Sequence, residues 1–300
     1  MSGTARAPAY RPGRAVERGR LGFLALCVAF AALVALCLLT LVAAGDLSFG
    51  RNPWDNLRAS LAQFAQPSFL DAWFGPERLE YRADDGRLLR VEDPRALERE
   101  FLAATARATW VTFQIATLGS LLASLLGLPL AVLAARTLGV PRAVSAAAAG
   151  VLRACRSVHT LVFGLILVGV VGLGPTAGIL AIALHSMGTC GKLFVESIEA
   201  LDMASIEAVR ATGAPPLQVF FSAVWPAVLP QFVGTHLYVW EFNIRDSTVL
   251  GLIGAGGLGL LITEAVSLFQ WGRLATLLIV IVALVSVFDA LSGAIRRGLQ

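Results

Sequence analysis

The stretch Glu207–Pro226, EAVRATGAPPLQVFFSAVWP, decides how this chain is read. After Ala108 the sequence is mostly long apolar runs, yet here it turns polar and carries a glycine and two adjacent prolines. Ser205 is placed to cap a short helix, which puts Glu207 in the first turn, favourable against the helix dipole. Gly213 is placed to end that helix in a left-handed conformation, and Pro215 and Pro216 stop its continuation. Leu217, Val219, Phe220, Phe221, Val224 and Trp225 are apolar enough to lie on a membrane or a partner, and Pro226 suits the first turn of the next helix. A plain connection needs only a few residues. Defined start and stop signals instead predict a stiff peg braced between two apolar helices.

The chain around it is 57% hydrophobic and 15% charged, against about 25% charged in soluble domains. Apolar runs near the length that crosses a bilayer core recur along it. The spans expected are Leu21–Ala44, Ala108–Ala135, Val144–Val171, Thr176–Val195, Ala227–Val249 and Leu274–Leu291. Runs this long exclude the alternating strands of a membrane barrel. In the second span Gly119, Ala123, Gly127, Ala131 and Ala135 recur every four residues, a small-residue stripe that lets another helix approach closely.

Of 24 basic residues, 23 are Arg, and their placement predicts orientation. Arg6, Arg11, Arg14, Arg18 and Arg20 precede the first span and read as an inside signal rather than a nucleic-acid arm. With residues 1–20 inside, the Arg136–Arg142 loop, the Lys192–Arg210 region and the Arg296–Arg297 pair are inside as well, so both termini are cytoplasmic. The first span is too long for the core of a cleaved signal peptide. Residues 45–107 fall outside. Their nine Arg are offset by eleven acids, and loops this long translocate largely regardless of charge. Within them, NLRASLAQFAQPSFLDAWF is read as an interfacial helix and Glu77–Glu100 as a solvated charged insertion. Residues 108–291 form a core of five spans containing the peg, counted as the loop 196–226, and 292–300 a cytoplasmic C-terminus.

Several motifs fail on inspection. GAGGLG, Gly254–Gly259, fits a dinucleotide pattern, but its flanks are apolar spans and not a βαβ unit, so it reads as a packed turn. GTCGKL, Gly188–Leu193, lacks the first glycine of a nucleotide loop, where Ser186 stands, and Leu193 replaces the magnesium-holding hydroxyl. His159, His185 and His236 are scattered without ligand spacing, and Cys27, Cys37, Cys155 and Cys190 match no zinc or disulfide framework. No metal, catalytic group or cofactor is expected.

A second polar group lies in the fifth span: Glu241, Asn243, Arg245 and Asp246, followed by Ser247 and Thr248. Charge inside a span is costly and seeks a partner or a wet cavity. Glu241 and Arg245, four apart on one helix face, can pair and fix packing. Alternatively Arg245 and its polar neighbours line the path of an anion, since guanidinium suits tetrahedral oxygens. His159, near the start of the third span, reads as a packing, kinking or path-lining residue.

Glu207-Ala208, Gly213 six residues later and Pro226 nineteen later resemble the EAA loop of ABC importer permeases, with Val209 at its third position and Trp225 where leucine is usual. HSMGTCGKLF and EFNIRDSTVLGLIGAGGLG are similar to the phosphonate importer branch, the likeness covering roughly Ala108–Leu291. The resemblance implies an all-α integral membrane fold of about six transmembrane helices, with a MetI-like permease core and a cytoplasmic coupling helix. It implies a bacterial inner-membrane, multi-pass permease subunit, not an enzyme. A separate ATP-binding ABC subunit carries the nucleotide and docks on Glu207, Ala208, Arg210, Gly213, Ala214 and Pro226. A periplasmic solute-binding protein delivers phosphonate or a related oxyanion, a second permease copy completes the pathway, and nucleic acid has no part. The pathway candidates are His159, Glu241, Asn243, Arg245, Ser247 and Thr248. The alternatives are an ion-gradient-driven transporter, for which no second EFNIRD-like half is seen, and an ABC importer permease for another small solute.

Overall fold

The computed structural model describes residues 13–45, 53–82 and 88–298; most of the expected Arg-rich tail lies outside these residues. The chain divides into two compact units, Met1–Ala59 and Ser60–Gln300. The first holds helix α1, Gly13–Ala44, apolar and exposed from Phe23 to Ala44. Helix α2, Pro53–Phe64, crosses the boundary between the units.

The second unit opens with a short helix α3, Asp71–Phe74, and a two-stranded antiparallel hairpin, β1 Leu79–Arg82 and β2 Leu88–Glu92. Glu77–Glu100, exposed or half-buried throughout its described residues, carries two kinds of structure. Its first part pairs as the hairpin, and its second part begins helix α4, Pro94–Ala134. Asp93 starts α4 by accepting from the Ala96 N–H at 3.1 Å, and Pro94 fits the first turn because its missing N–H is not needed there. Arg95 bonds the Gly75 carbonyl and Glu77, and Arg99 bonds the Ala72 carbonyl, so the hairpin region is strapped to α4.

Helix α7, Pro175–Glu199, packs along α4. The small-residue stripe faces it: all five positions are buried, and a Cβ added at Gly119 would lie 2.7 Å from Ile182. One added at Gly127 would lie 3.1 Å from the Met187 carbonyl. Close backbone approach is how apolar helices gain contact where lipid removes the hydrophobic incentive.

The third expected span is broken. Helix α5, Arg142–Ser157, and helix α6, Thr160–Val171, meet at 89°. Neither Gly nor Pro stands at Val158–His159; the local signal is His159, whose ring caps α6. Tertiary partners hold it: His185 of α7 bonds the Val158 carbonyl at 2.7 Å, and α5 lies so close to α7 that Leu152 covers Gly191.

Helix α8 spans Met203–Ala211, helix α9 Pro216–Val219, and helix α10 Trp225–Leu250. A widened turn at Phe220–Val224 joins α9 to α10, whose first turn holds Pro226 as expected, and the span reaches back to Leu217. The helix opens at Pro216 and runs on, and the wide turn closes where Pro226 has no N–H to continue the ladder. A second wide turn, Gly251–Ala255, ends α10 inside the GAGGLG sequence. Gly254, Gly256 and Gly257 have φ of 99°, 86° and 69°, conformations that side chains oppose. The turn is a clamp: the Gly174 N–H donates to the Gly254 carbonyl at 3.0 Å, and the Leu258 N–H donates to Thr112 Oγ1 at 2.9 Å. Helices α11, Leu258–Ser267, and α12, Trp271–Gly298, complete the fold. Among the described residues, five helical segments are long and apolar enough to cross a membrane, six if α5 and α6 form one span.

Candidate coupling element and polar seam

Helix α8 is the core of the peg. It starts earlier than the sequence suggests: Asp202, not Ser205, caps it, accepting from the Ala204 N–H at 3.0 Å. It ends as expected, with Gly213 at φ 79° and its N–H donating to the Arg210 carbonyl at 2.9 Å. Ile206 fastens the helix from below. It is 1% exposed and belongs to a core with Phe194 and Ile198 of α7, Val219 of α9, and Val228 and Phe232 of α10. Glu207, Ala208 and Arg210 point away from that core and are exposed, as is Pro226, while Ala214 is half-buried. Val219 and Val224 are buried, whereas Leu217 and Phe221 stay exposed, so the apolar stretch divides between an anchoring face and a free one. Short, capped at both ends and pinned by one buried isoleucine, α8 is fixed to the helices that share this core.

The second polar group separates into two sites. Asn243 is fully buried, accepts from Ser186 Oγ of α7 at 2.8 Å and donates to Ser120 Oγ of α4 at 2.8 Å. Trp240 donates to Thr117 at 3.0 Å, and Ser124 and His236 hydrogen-bond at 2.8 Å. These polar links staple α10 to α4 and α7 in a medium that offers no water as an alternative. Ser247 and Thr248 are buried and bond the Ile244 carbonyl of their own helix. Asn243, Ser247 and Thr248 are thus enclosed in the protomer.

Glu241, Arg245 and His159 lie elsewhere. The Glu241 carboxylate, half-buried, takes Arg245 at 3.1 Å on one oxygen and Arg296 of α12 at 3.1 Å on the other. Arg245 also approaches Asp289 of α12 at 3.8 Å. The expected pair is present but is part of a four-residue cluster of balanced charge joining α10 to the end of α12. Arg245 remains half-exposed. His159 caps α6, its ring accepting from the Leu161 N–H at 3.2 Å, so it sits at the break itself. Asp246 joins it there, accepting from Thr160 Oγ1 at 2.8 Å beside the α6 N-terminus, where a carboxylate is favoured. The roles of Thr160, His185, Asp289 and Arg296 here are not legible in the sequence, because each acts through a residue far away in the chain. Glu241→Gln is expected to lower stability by about 1–2 kcal/mol, since two half-exposed Arg lose a shared charge. The check is thermal unfolding in detergent, and an unchanged midpoint would show the cluster to be idle.

Residues 127–300 match the family described as binding-protein-dependent transport system inner membrane component. The chain belongs to this family. The permease is 42% identical over 186 residues to the phosphite transport system permease protein PtxC of Stutzerimonas stutzeri, covering 62% of this chain and 68% of that one. It is 38% identical over 186 residues to the phosphate-import permease protein PhnE of Mycolicibacterium smegmatis, covering 62% of this chain but 35% of that one. Its fold matches that of a chain in the inward-facing MetNI methionine ABC transporter, with a TM-score of 0.60 at 21% identity, covering 67% of this chain and 98% of that one. The family and the apolar helices make the permease a multi-pass inner-membrane protein.

Proposed function

We propose that this permease is the membrane subunit of an ATP-driven importer for phosphonate, phosphite, phosphate or a related tetrahedral oxyanion. The observation that carries the reading is α8: an exposed polar face, capped by Asp202, ended by Gly213 and rooted by Ile206 in the core of the spanning helices. Such an element transmits displacement, and nothing in its own chemistry supplies energy. In this reading Glu207, Ala208 and Arg210 meet a groove on a separate ATP-binding subunit on the cytoplasmic side, where both termini also lie. ATP is bound by that subunit, a periplasmic solute-binding protein delivers the ligand, and two permease copies enclose the path. Arg245, held by Glu241 but half-exposed, is the residue best placed to attract an oxyanion along it. The relatives named for phosphite and phosphate support the substrate class.

The test is uptake of labelled phosphite, methylphosphonate and phosphate into proteoliposomes containing the permease, its ATPase and the binding protein. Uptake is expected to require ATP and to survive collapse of the ion gradient. Glu207→Lys, which reverses an exposed charge on α8 without touching the core, is expected to cut uptake at least tenfold while the protein still reaches the membrane. Uptake by Glu207→Lys at the normal rate would remove α8 from the coupling role.

A further inference from the structure

At the end of α4 lies a cavity of about 930 Å³, walled by α5, the α4–α5 loop and the last turns of α7. Five cationic side chains line it: Arg136, Arg142, Arg153, Arg156 and Lys192. Charge here is unbalanced. Lys192 has Glu196 at 3.2 Å, and Arg153 turns its Nε back to the Ala149 carbonyl at 3.1 Å. Among the described residues no carboxylate pairs with the side chains of Arg136, Arg142 or Arg156. Unpaired like charges around one cavity raise its potential and recruit an anion.

The rest of the wall says what kind. Val140, Leu152 and Val195 line the same cavity. A five-atom oxyanion needs neither apolar wall nor such room, since cavities of roughly 300–1,000 Å³ suit organic ligands. A basic pocket between membrane helices, with apolar sides, suits a phosphate that carries hydrocarbon. We propose that this cavity binds the phosphodiester headgroup of an acidic phospholipid, with Arg153 and Arg156 on the phosphate oxygens. Guanidinium forks match those oxygens in pairs. The cavity adjoins the coupling element, because the Arg136 N–H donates to the Glu199 carboxylate at 3.1 Å and α8 begins a few residues beyond Glu199. A bound headgroup therefore screens charge at the root of the peg.

The assembled transporter is placed in phosphatidylcholine nanodiscs doped with phosphatidylglycerol, and retained lipid is read by native mass spectrometry. Binding of a short-chain phosphatidylglycerol is titrated in detergent. Selective retention of phosphatidylglycerol is expected. The Arg153→Gln/Arg156→Gln pair is expected to weaken short-chain binding roughly 25-fold, the Arg153→Lys/Arg156→Lys pair, which keeps the charge but not the fork, to weaken it less, and a large excess of inorganic phosphate to leave it unchanged. Equal binding by the glutamine pair overturns the site. Displacement by inorganic phosphate at matching concentration overturns the lipid assignment in favour of a free oxyanion. Should the glutamine pair fail to fold, Arg136→Gln/Arg142→Gln on the loop serves in its place, and undiminished binding there is equally fatal.

Discussion

Gly188→Leu is expected to abolish accumulation of folded permease, whereas Gly150→Leu accumulates normally. A Cβ at Gly188 would lie 2.5 Å from the Arg156 nitrogen and 2.6 Å from the Leu152 carbonyl oxygen, both backbone atoms of α5. Backbone cannot rotate aside as a side chain does, so α5 would have to leave α7. That movement breaks the Val158–His185 bond and uncovers the Leu152–Gly191 contact together. Overpacking typically costs about 1–3 kcal/mol, and here an inter-helix seam is lost as well. Gly150, on the same helix α5, has no atom within 4 Å of an added Cβ and so controls for side-chain size alone. Detergent-extracted yield and size-exclusion profile read the difference. Equal yields of the two variants would show that the α5–α7 approach is not needed for folding.

Gly213→Pro has the opposite signature: a normal amount of protein and little transport. Proline is locked near φ −65°, and this position sits at 79°. It also lacks the N–H that now bonds the Arg210 carbonyl. Both losses fall on the end of α8, while Ile206 still holds its middle. The helix is expected to stay attached but with its last turn undone, costing about 3 kcal/mol locally. Reconstituted uptake is expected to fall at least tenfold, with ATP hydrolysis by the partner subunit no longer tied to it. Gly213→Ala, strained but able to donate, is expected to fall between. Uptake by Gly213→Pro at the wild-type rate would separate the shape of α8 from transport.

These variants also mark what the sequence reveals. Gly213 announces itself, because a glycine before two prolines has a local meaning, and the helix end forms where that meaning places it. The small-residue stripe on α4 is legible for the same reason, periodicity being a property of one helix. Ser205 misleads as the cap because Asp202, three residues earlier, offers the same chemistry and a longer helix. His159 is readable as a kinking residue and caps α6 at the break, but the right angle there is not legible locally. His185, from another helix, takes up the Val158 carbonyl that the break frees, while Asp246 holds the Thr160 hydroxyl beside it. Asn243 is conspicuous as a polar residue in a span, but its partners Ser120 and Ser186 are 123 and 57 residues away, so sequence shows the need for a partner and not its identity. The Glu241–Arg245 pair is readable at helical spacing. Its enlargement by Arg296 and Asp289 requires knowing that α12 returns beside α10.

Helix α4 has 41 residues and measures about 60 Å, twice the thickness of a bilayer core. It closes on α7 at Gly119 and Gly127, and near its other end Arg95 straps the segment that leads into the hairpin. The stretch between them does not stand free: Glu98 takes Arg273 of α12 at 2.7 Å, and Thr112 holds the Leu258 N–H at 2.9 Å. Helix α4 is thus a pillar fixed at several heights, joining the hairpin region to the seam as one stiff piece.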